Sequence, residues 1–167
     1  AEIAPWLQRG EVDFGLKYGL EFERDVHLIY TDWAPIRAVL SPAHPLAHHK
    51  DLQLAQLTRH PLALPGAATT IQRALNMACN GENLRYRVLY SGDVGTMLSI
   101  AALGDAVVLA GDIAIRGFLQ AGGMRVLPVR HSLFDHRRVM LMSPLAQPLS
   151  RLAAVFADDI VKALRAY

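Results

Sequence analysis

The chain has 167 residues, of which 52% are hydrophobic and 19% charged, and its 17 basic and 15 acidic side chains leave a formal net charge of +2. This composition excludes a disordered segment and a block of like charge that would follow a phosphate backbone, and the chain is long enough to bury its own core. A single cysteine excludes an internal disulfide and a multi-cysteine metal site. Since neither a bilayer-spanning apolar run nor a signal peptide is recognisable, we expect a cytoplasmic protein without a membrane partner.

The first quarter of the chain predicts the end of a helix followed by strands. Ile3, Trp6 and Leu7 share one helical face within residues 2–9, and Gly10 follows where a helix usually stops. The strands expected after this helix lie at residues 12–16, 26–30 and 35–40.

Strands and helices then alternate to the end of the chain, which is typical of an α/β fold with mainly parallel sheets. The best-marked helix starts after Thr69, which forms a capping box with Gln72, and its apolar face of Ile71, Leu75 and Ala78 is interpreted as core rather than interface. The other predicted elements are a short helix near 52–57, strands at 61–64, 88–90, 106–110, 124–129 and 137–142, and helices from Asp93 to Gly104, around 113–118, and after Ser150 with Leu152, Val155, Phe156, Ile160 and Leu164 on one side.

Four stretches of the chain resemble the effector-binding domain of LysR-type transcription regulators. They are LQRGEVDFGL at 7–16, HPLA at 44–47 with the strand at 61–64, MLSIAALGDAVVLAGD at 97–112, and the strands at 124–142 with the closing helix around 153–156. Gly104 lies at the family's first glycine, whereas Asp105-Ala106 replaces the usual second glycine and Ala110-Gly111 replaces the usual Leu-Pro. The order and spacing of the four stretches carry the resemblance over nearly the whole chain.

The resemblance implies a two-lobed fold of the type 2 periplasmic-binding-protein kind, in which mainly parallel sheets are joined by crossing strands. Residues 1–34 and 131–167 are expected to form the first lobe and residues 35–130 the second. The family's winged helix-turn-helix and the opening strand, helix and strand of its ligand domain would precede Ala1, so the resemblance is to a domain truncated at its N-terminus. It further implies a small-molecule effector, a homodimer or homotetramer, DNA binding only through the missing N-terminal domain, and no cofactor.

We predict the effector site at the carboxyl ends of strands, where loops converge and the following helices present free N–H groups. A cleft between the lobes with one cation, several hydroxyls and one helix N-terminus would suit a small anion or carboxylate. The predicted effector-binding residues are Lys17, Tyr18, Pro65, Gly66, Ala67, Thr69, Thr70, Gly111 and Asp112. Three of them have an ordinary alternative role, Thr69 and Asp112 as helix caps and Lys17 as a solvated lysine at a strand end.

The remaining residues that could carry chemistry favour structural roles. His44 and His48 have a spacing that joins two zinc ligands only on a helix, and Pro42 and Pro45 break this segment. Cys79 is interpreted as a buried thiol rather than a nucleophile. The acidic residues interpreted as solvated rather than catalytic are Glu21, Glu23, Asp158 and Asp159.

We find no motif of a hydrolase, a nucleotide-binding loop or a zinc protease, and therefore predict no catalytic residues, no metal site and no enzymatic activity. Two alternatives stay open. A periplasmic solute-binding protein shares the two-lobed architecture, and an enzyme of that architecture would need a nucleophile or an acid–base pair in the cleft.

Overall fold

The computed structural model describes residues 3–119 and 123–166, and it describes only the backbone of residues 117–119. The chain divides into two compact units. We call Ala1–Trp33 with Arg137–Tyr167 the discontinuous unit, and Ala34–His136 the continuous unit. The assignment of lobes to 1–34 with 131–167 and to 35–130 stays a prediction.

The described elements confirm the α/β fold class. In chain order they are α1 (Ala4–Gln8), β1 (Gly15–Gly19), β2 (Val26–Trp33), β3 (Ile36–Leu40), a 3₁₀ turn (Pro45–His48), β4 (Leu52–Gln53), α2 (Leu54–Leu57), β5 (Pro61–Leu64), α3 (Thr70–Gly81), β6 (Arg87–Ser91), α4 (Val94–Leu103), β7 (Val107–Gly111), α5 (Asp112–Leu119), β8 (Arg125–Arg130), α6 (Ser132–Asp135), β9 (Arg138–Pro144) and α7 (Arg151–Arg165). Glu2, the first residue of the predicted opening helix, lies outside the described residues. Among the residues that are described, every helix is too short or too polar to serve as a membrane span.

The continuous unit is built on a six-stranded sheet with the order β4-β8-β3-β7-β5-β6. Neighbouring strands pair in parallel in β4–β8, β7–β5 and β5–β6, while β3 runs antiparallel to both β7 and β8. Helices α3 and α4 supply the crossovers from β5 to β6 and from β6 to β7 that parallel strands require. Strand β7 is buried along its whole length, as expected for a central strand of a mostly parallel sheet.

The helices of the continuous unit begin and end at the residues that local chemistry favours. The Thr69 hydroxyl accepts a hydrogen bond from the Gln72 N–H, and the Asp93 carboxylate accepts one from the Thr96 N–H. Gly104 ends α4 with φ +87°, a conformation that favours glycine. The predicted core face of α3 is confirmed, because Ile71, Leu75 and Ala78 are all buried.

The discontinuous unit has a smaller sheet in which β9 lies between β1 and β2 and runs antiparallel to both. Here the expectation of mainly parallel pairing is wrong, because β9 returns between two strands that point the same way. Helix α1 covers one face of this sheet, where Leu7 packs with Met140 and Met142 in a small buried cluster.

Helix α7 starts where the sequence predicts, but its burial differs from the predicted apolar side. The Ser150 hydroxyl caps the helix by accepting a hydrogen bond from the Ala153 N–H. Its buried residues are the small Ala153 and Ala157. Three of the apolar residues expected on one side are exposed, Leu152 at 81%, Val155 at 56% and Phe156 at 59%. Helical periodicity therefore identifies the helix but not the face that packs.

Candidate functional site

The continuous unit brings seven of the predicted effector residues to one edge of its sheet. Strands β5 and β7 are parallel neighbours, with Leu62 opposite Val107 and Ala63 opposite Val108. Because the two strands run in parallel, the loop after β5 and the end of β7 lie at the same edge of the sheet. The residues at this edge are Pro65, Gly66, Ala67, Thr69, Thr70, Gly111 and Asp112.

Three helices begin at the same edge. Helices α3, α4 and α5 follow the parallel strands β5, β6 and β7, so their first turns all lie at the carboxyl ends of these strands. The backbone N–H groups of a first helical turn, together with the helix dipole, favour a bound anion. This edge can therefore stabilise negative charge even though no lysine or arginine is among the seven residues that we predicted there.

Thr69 and Asp112 also have structural partners. The Thr69 N–H donates to the Gly66 carbonyl at 3.1 Å, which tightens the loop, and its hydroxyl caps α3. The predicted cap role of Asp112 is wrong, because this residue lies inside the first turn of α5. Its carboxylate instead accepts a hydrogen bond from the Arg116 guanidinium at 2.7 Å, one turn later. A negative charge at this position is itself favourable to the helix.

The residues after β6 also lie at this edge, although they were not predicted as part of the site. The Gly92 N–H donates to the Leu64 carbonyl at 3.1 Å, which holds the start of α4 beside the end of β5. Hydrogen bonding from Thr96 lowers the pKa of Asp93, so the edge also carries a negative charge. The available signal was the capping residue directly after a predicted strand, the same pattern that identified Thr69.

Lys17 and Tyr18 belong to the discontinuous unit, and their predicted place after a strand is wrong. They lie inside β1, opposite Met140 and Val139, because antiparallel pairing with β9 continues to Gly19. The Lys17 ammonium group forms an ion pair with the Glu23 carboxylate. Lys17 is thus a paired cation rather than a solvated one.

Arg137 is a buried cation next to Tyr18 that the sequence analysis did not identify. The residue is only 4% exposed, and its guanidinium carbon lies 4.2 Å from the centre of the Tyr18 ring. Burial lowers the pKa of Arg137 to about 10, so the group is still charged at neutral pH. No signal in one sequence marks this arginine, because a basic residue at the start of a strand is usually solvated.

The histidine segment and the cysteine have identifiable structural roles. His44 is buried, its Nδ1 accepts a hydrogen bond from the Leu46 N–H at 3.1 Å, and its ring packs edge-on against His60. Within residues 3–119 and 123–166, no group of three or more histidine, cysteine or acidic side chains is placed to hold a metal ion. Cys79 is buried as predicted, and this burial raises its pKa, which disfavours the reactive thiolate.

Comparisons with known proteins point to one family. The sequence matches the sequence model of the LysR substrate binding domain over residues 1–165. No protein with a curated function matches the chain in sequence.

Solved structures of similar fold include an effector binding domain, a regulatory domain and a LysR family transcriptional regulator. The effector binding domain of QuiR in complex with shikimate has a TM-score of 0.72 and 16% identity, over 93% of this chain and 73% of that one. The CcmR regulatory domain of Synechocystis PCC6803 in complex with 2-PG has a TM-score of 0.75 and 16% identity, over 96% and 77%. HinK, a LysR family transcriptional regulator from Pseudomonas aeruginosa, has a TM-score of 0.70 and 14% identity, over 92% and 53%.

At these identities the structural likeness shows the fold, and it is the type 2 periplasmic-binding-protein fold that the sequence resemblance implies. The chain spans about half of HinK and about three quarters of the QuiR and CcmR domains. Because the family's sequence model covers nearly all of its residues, the chain belongs to the LysR substrate binding domain family.

Proposed function

We propose that the chain is the effector-sensing domain of a cytoplasmic LysR-type transcription regulator, and that its effector is a small organic anion. The observation that carries the proposal is the start of α3, α4 and α5 at one edge of the continuous unit, where backbone N–H groups favour negative charge. The QuiR and CcmR domains, which have the same fold, are in complex with shikimate and 2-PG.

The proposed contacts in the continuous unit are mainly backbone groups. Gly66 and Ala67 are exposed residues of the loop before α3, and their backbone amides are the groups proposed to contact the ligand. Thr70 lies in the first turn of α3, where the helix dipole stabilises an anionic group by about 0.3–1 kcal/mol. Gly111 is the last residue of β7, and because it has no side chain, a neighbouring group can approach its backbone closely.

The proposed contacts in the discontinuous unit supply the positive charge. Lys17 and Glu23 are both about three quarters buried in their side chains, so a ligand carboxylate near Lys17 would compete with Glu23 for the ammonium group. Tyr18 contributes a phenol hydroxyl, and its ring packs against the Arg137 guanidinium. The proposed effector is therefore an anion that also carries hydroxyl or other polar groups.

Signalling needs an effector with different affinities for two conformations of the domain, since a ligand that binds both equally shifts nothing. We propose that the two units are the two lobes of the family fold, and that this shift changes how subunits of a homodimer or homotetramer are arranged on DNA. DNA contact itself is assigned to a separate N-terminal domain. The proposal contains no catalytic step, and turnover of a bound effector would contradict it.

Calorimetric titration of the full-length regulator tests the proposed site, with shikimate, 2-PG and further small carboxylates as the probes. For the carboxylate that binds best, Thr70→Val and Lys17→Met are each expected to weaken binding at least about tenfold. Lys162→Met is the matched control, because Lys162 is an exposed lysine on α7 paired only locally with Asp159. Equal affinity in the wild type and in both site variants would contradict the proposed site.

A further inference from the structure

The segment from the last residue of β9 to the residue before the N-cap of α7, Pro144–Leu149, lies beside a hollow that the proposed function does not use. The hollow has a volume of about 460 Å³, and β2 forms its other side through His27 and Ile29. A smaller hollow of about 210 Å³ lies on the α1 side of the same segment and shares four lining residues with the first, Pro144, Leu145, Ala146 and Gln147. Both lie entirely within the discontinuous unit.

The lining of the larger hollow is mostly apolar, with a few polar groups. Its nine residues are His27, Ile29, Ser143, Pro144, Leu145, Ala146, Gln147, Pro148 and Leu149, and none of them is acidic, lysine or arginine. The polar groups include a pair held in place, since the hydroxyl of the buried Ser143 lies 3.5 Å from His27 Nδ1. A volume of roughly 300–1,000 Å³ with an apolar lining and few polar groups is characteristic of small-molecule sites.

This hollow is separate from the predicted effector residues of the same unit. His27 pairs with Ser143 on β9, whereas Lys17 pairs with Met140 from the opposite side of that strand. Three residues along a strand correspond to roughly 10 Å, and β9 itself lies between the two sites. A ligand beside Pro144–Leu149 therefore leaves Lys17 and Tyr18 accessible.

We propose that this hollow is a second small-molecule site, which takes a neutral and mostly apolar ligand with one hydrogen-bonding group, such as a phenol. Its apolar residues match an aromatic ring, and the hydroxyl can bond with His27, Ser143 or Gln147. An anion is disfavoured, because no lysine or arginine of the lining compensates the loss of its hydration. The chemistry is thus opposite to that of the proposed effector.

Fluorine NMR titration of the full-length protein tests this site with 4-fluorophenol as the neutral probe and 4-fluorobenzoate as its anionic counterpart. Ala146→Trp places a large side chain in the hollow and is expected to raise the Kd of 4-fluorophenol at least tenfold. Ala163→Trp is the matched control, because Ala163 is an exposed alanine of the same unit that does not line the hollow, and its Kd should stay within twofold of the wild type. His27→Ala is expected to raise the Kd at least threefold by removing a hydrogen-bonding partner.

The expected result is 4-fluorophenol binding that Ala146→Trp weakens at least tenfold, with 4-fluorobenzoate binding at least tenfold more weakly than 4-fluorophenol in the wild type. Unchanged 4-fluorophenol affinity in Ala146→Trp would overturn the proposal, and so would equal affinity for the two probes. If Ala146→Trp does not fold, the His27→Ala variant decides, and an unchanged Kd in that variant overturns the proposal.

Discussion

The two units use the same local signals but bury their apolar residues to different extents. In the continuous unit, α3 is capped by Thr69 and fully buries Leu75. In the discontinuous unit, α7 is capped by Ser150 in the same way, yet Leu152 is 81% exposed. The comparison shows that caps and periodicity specify where a helix forms, whereas its stability contribution depends on the surfaces available to cover it.

The largest expected effect separates these two helices directly. Leu75→Ala removes a fully buried side chain and is expected to lower the free energy of unfolding by about 2–5 kcal/mol. Leu152→Ala removes an exposed side chain and should change it by no more than about 0.5 kcal/mol. Urea titration followed by circular dichroism measures both variants.

Tryptophan fluorescence sharpens this comparison, because both tryptophans of the chain, Trp6 and Trp33, lie in the discontinuous unit. For Leu75→Ala, an early circular dichroism transition with an unchanged fluorescence transition would show that the units unfold separately. A loss above about 2 kcal/mol for Leu152→Ala would instead mean that the exposed face of α7 is covered in the protein, which would break the comparison.

The next largest expected effect is a pH dependence of the stability of the continuous unit. Burial lowers the pKa of His44, and electrostatic repulsion from the neighbouring His60 lowers it further. The unfolded chain therefore takes up this proton at a higher pH than the folded one, so the stability from neutral His44 is complete above pH 6.5 and is lost as the pH falls below that value. Protonation also removes the Nδ1 acceptor that His44 offers to the Leu46 N–H.

His44→Asn tests this effect, because asparagine keeps a capping acceptor but does not titrate. Urea midpoints at pH 7.5 and pH 5.5 should differ less in His44→Asn than in the wild type. His48→Asn, a change at an exposed histidine of the same turn, is expected to leave the difference intact. If the pH dependence of stability in His44→Asn equals that of the wild type, groups other than His44 cause it.

Elements that local chemistry specifies could be predicted from the sequence. Thr69, Asp93, Gly104 and Ser150 mark helix ends because the cap forms with residues one turn away, and each of these ends is confirmed. The short buried strand 61–64 was also recognisable, because it is apolar and bounded by prolines. The prediction that the loop after β5 lies at the same sheet edge as the end of β7 required only that the two strands are parallel.

Features that depend on distant parts of the chain could not be predicted in this way. Lys17 lies inside a strand because β9, more than a hundred residues later, extends the pairing to Gly19. The burial of Arg137 and the exposure of Leu152 depend on which surfaces meet, and a single sequence does not contain that information locally. The surroundings of the predicted residues in the continuous unit therefore followed from local pattern, whereas those of Lys17 and Tyr18 in the discontinuous unit did not.

A smaller effect on stability is expected from the N-caps of α7 and α3, Ser150 and Thr69. Since both residues cap a helix through a side-chain hydroxyl, they compare the two units at the same local chemistry. Ser150→Ala and Thr69→Ala each remove one hydroxyl acceptor and should each cost about 1 kcal/mol of stability. In addition, Thr69→Ala is expected to weaken binding of the carboxylate effector, whereas Ser150→Ala should not. Calorimetric titration and urea unfolding of both variants measure the two consequences, and equal effector affinity in both would leave Thr69 with the cap role alone.

The smallest expected effect is on the Asp112–Arg116 ion pair of α5. It tests whether Asp112 only stabilises the helix or also belongs to the effector site. Its carboxylate and the Arg116 guanidinium are a quarter to a third exposed and one turn apart, so Arg116→Gln should lower stability by only about 0.3–0.5 kcal/mol. Salt at about 0.5 M should reduce this loss, because it screens exposed charges.

Removal of Arg116 also leaves the Asp112 charge uncompensated at the edge where an anion is proposed to bind, so the same variant should bind the carboxylate effector more weakly. A stability loss without any change in affinity would place Asp112 outside the effector site.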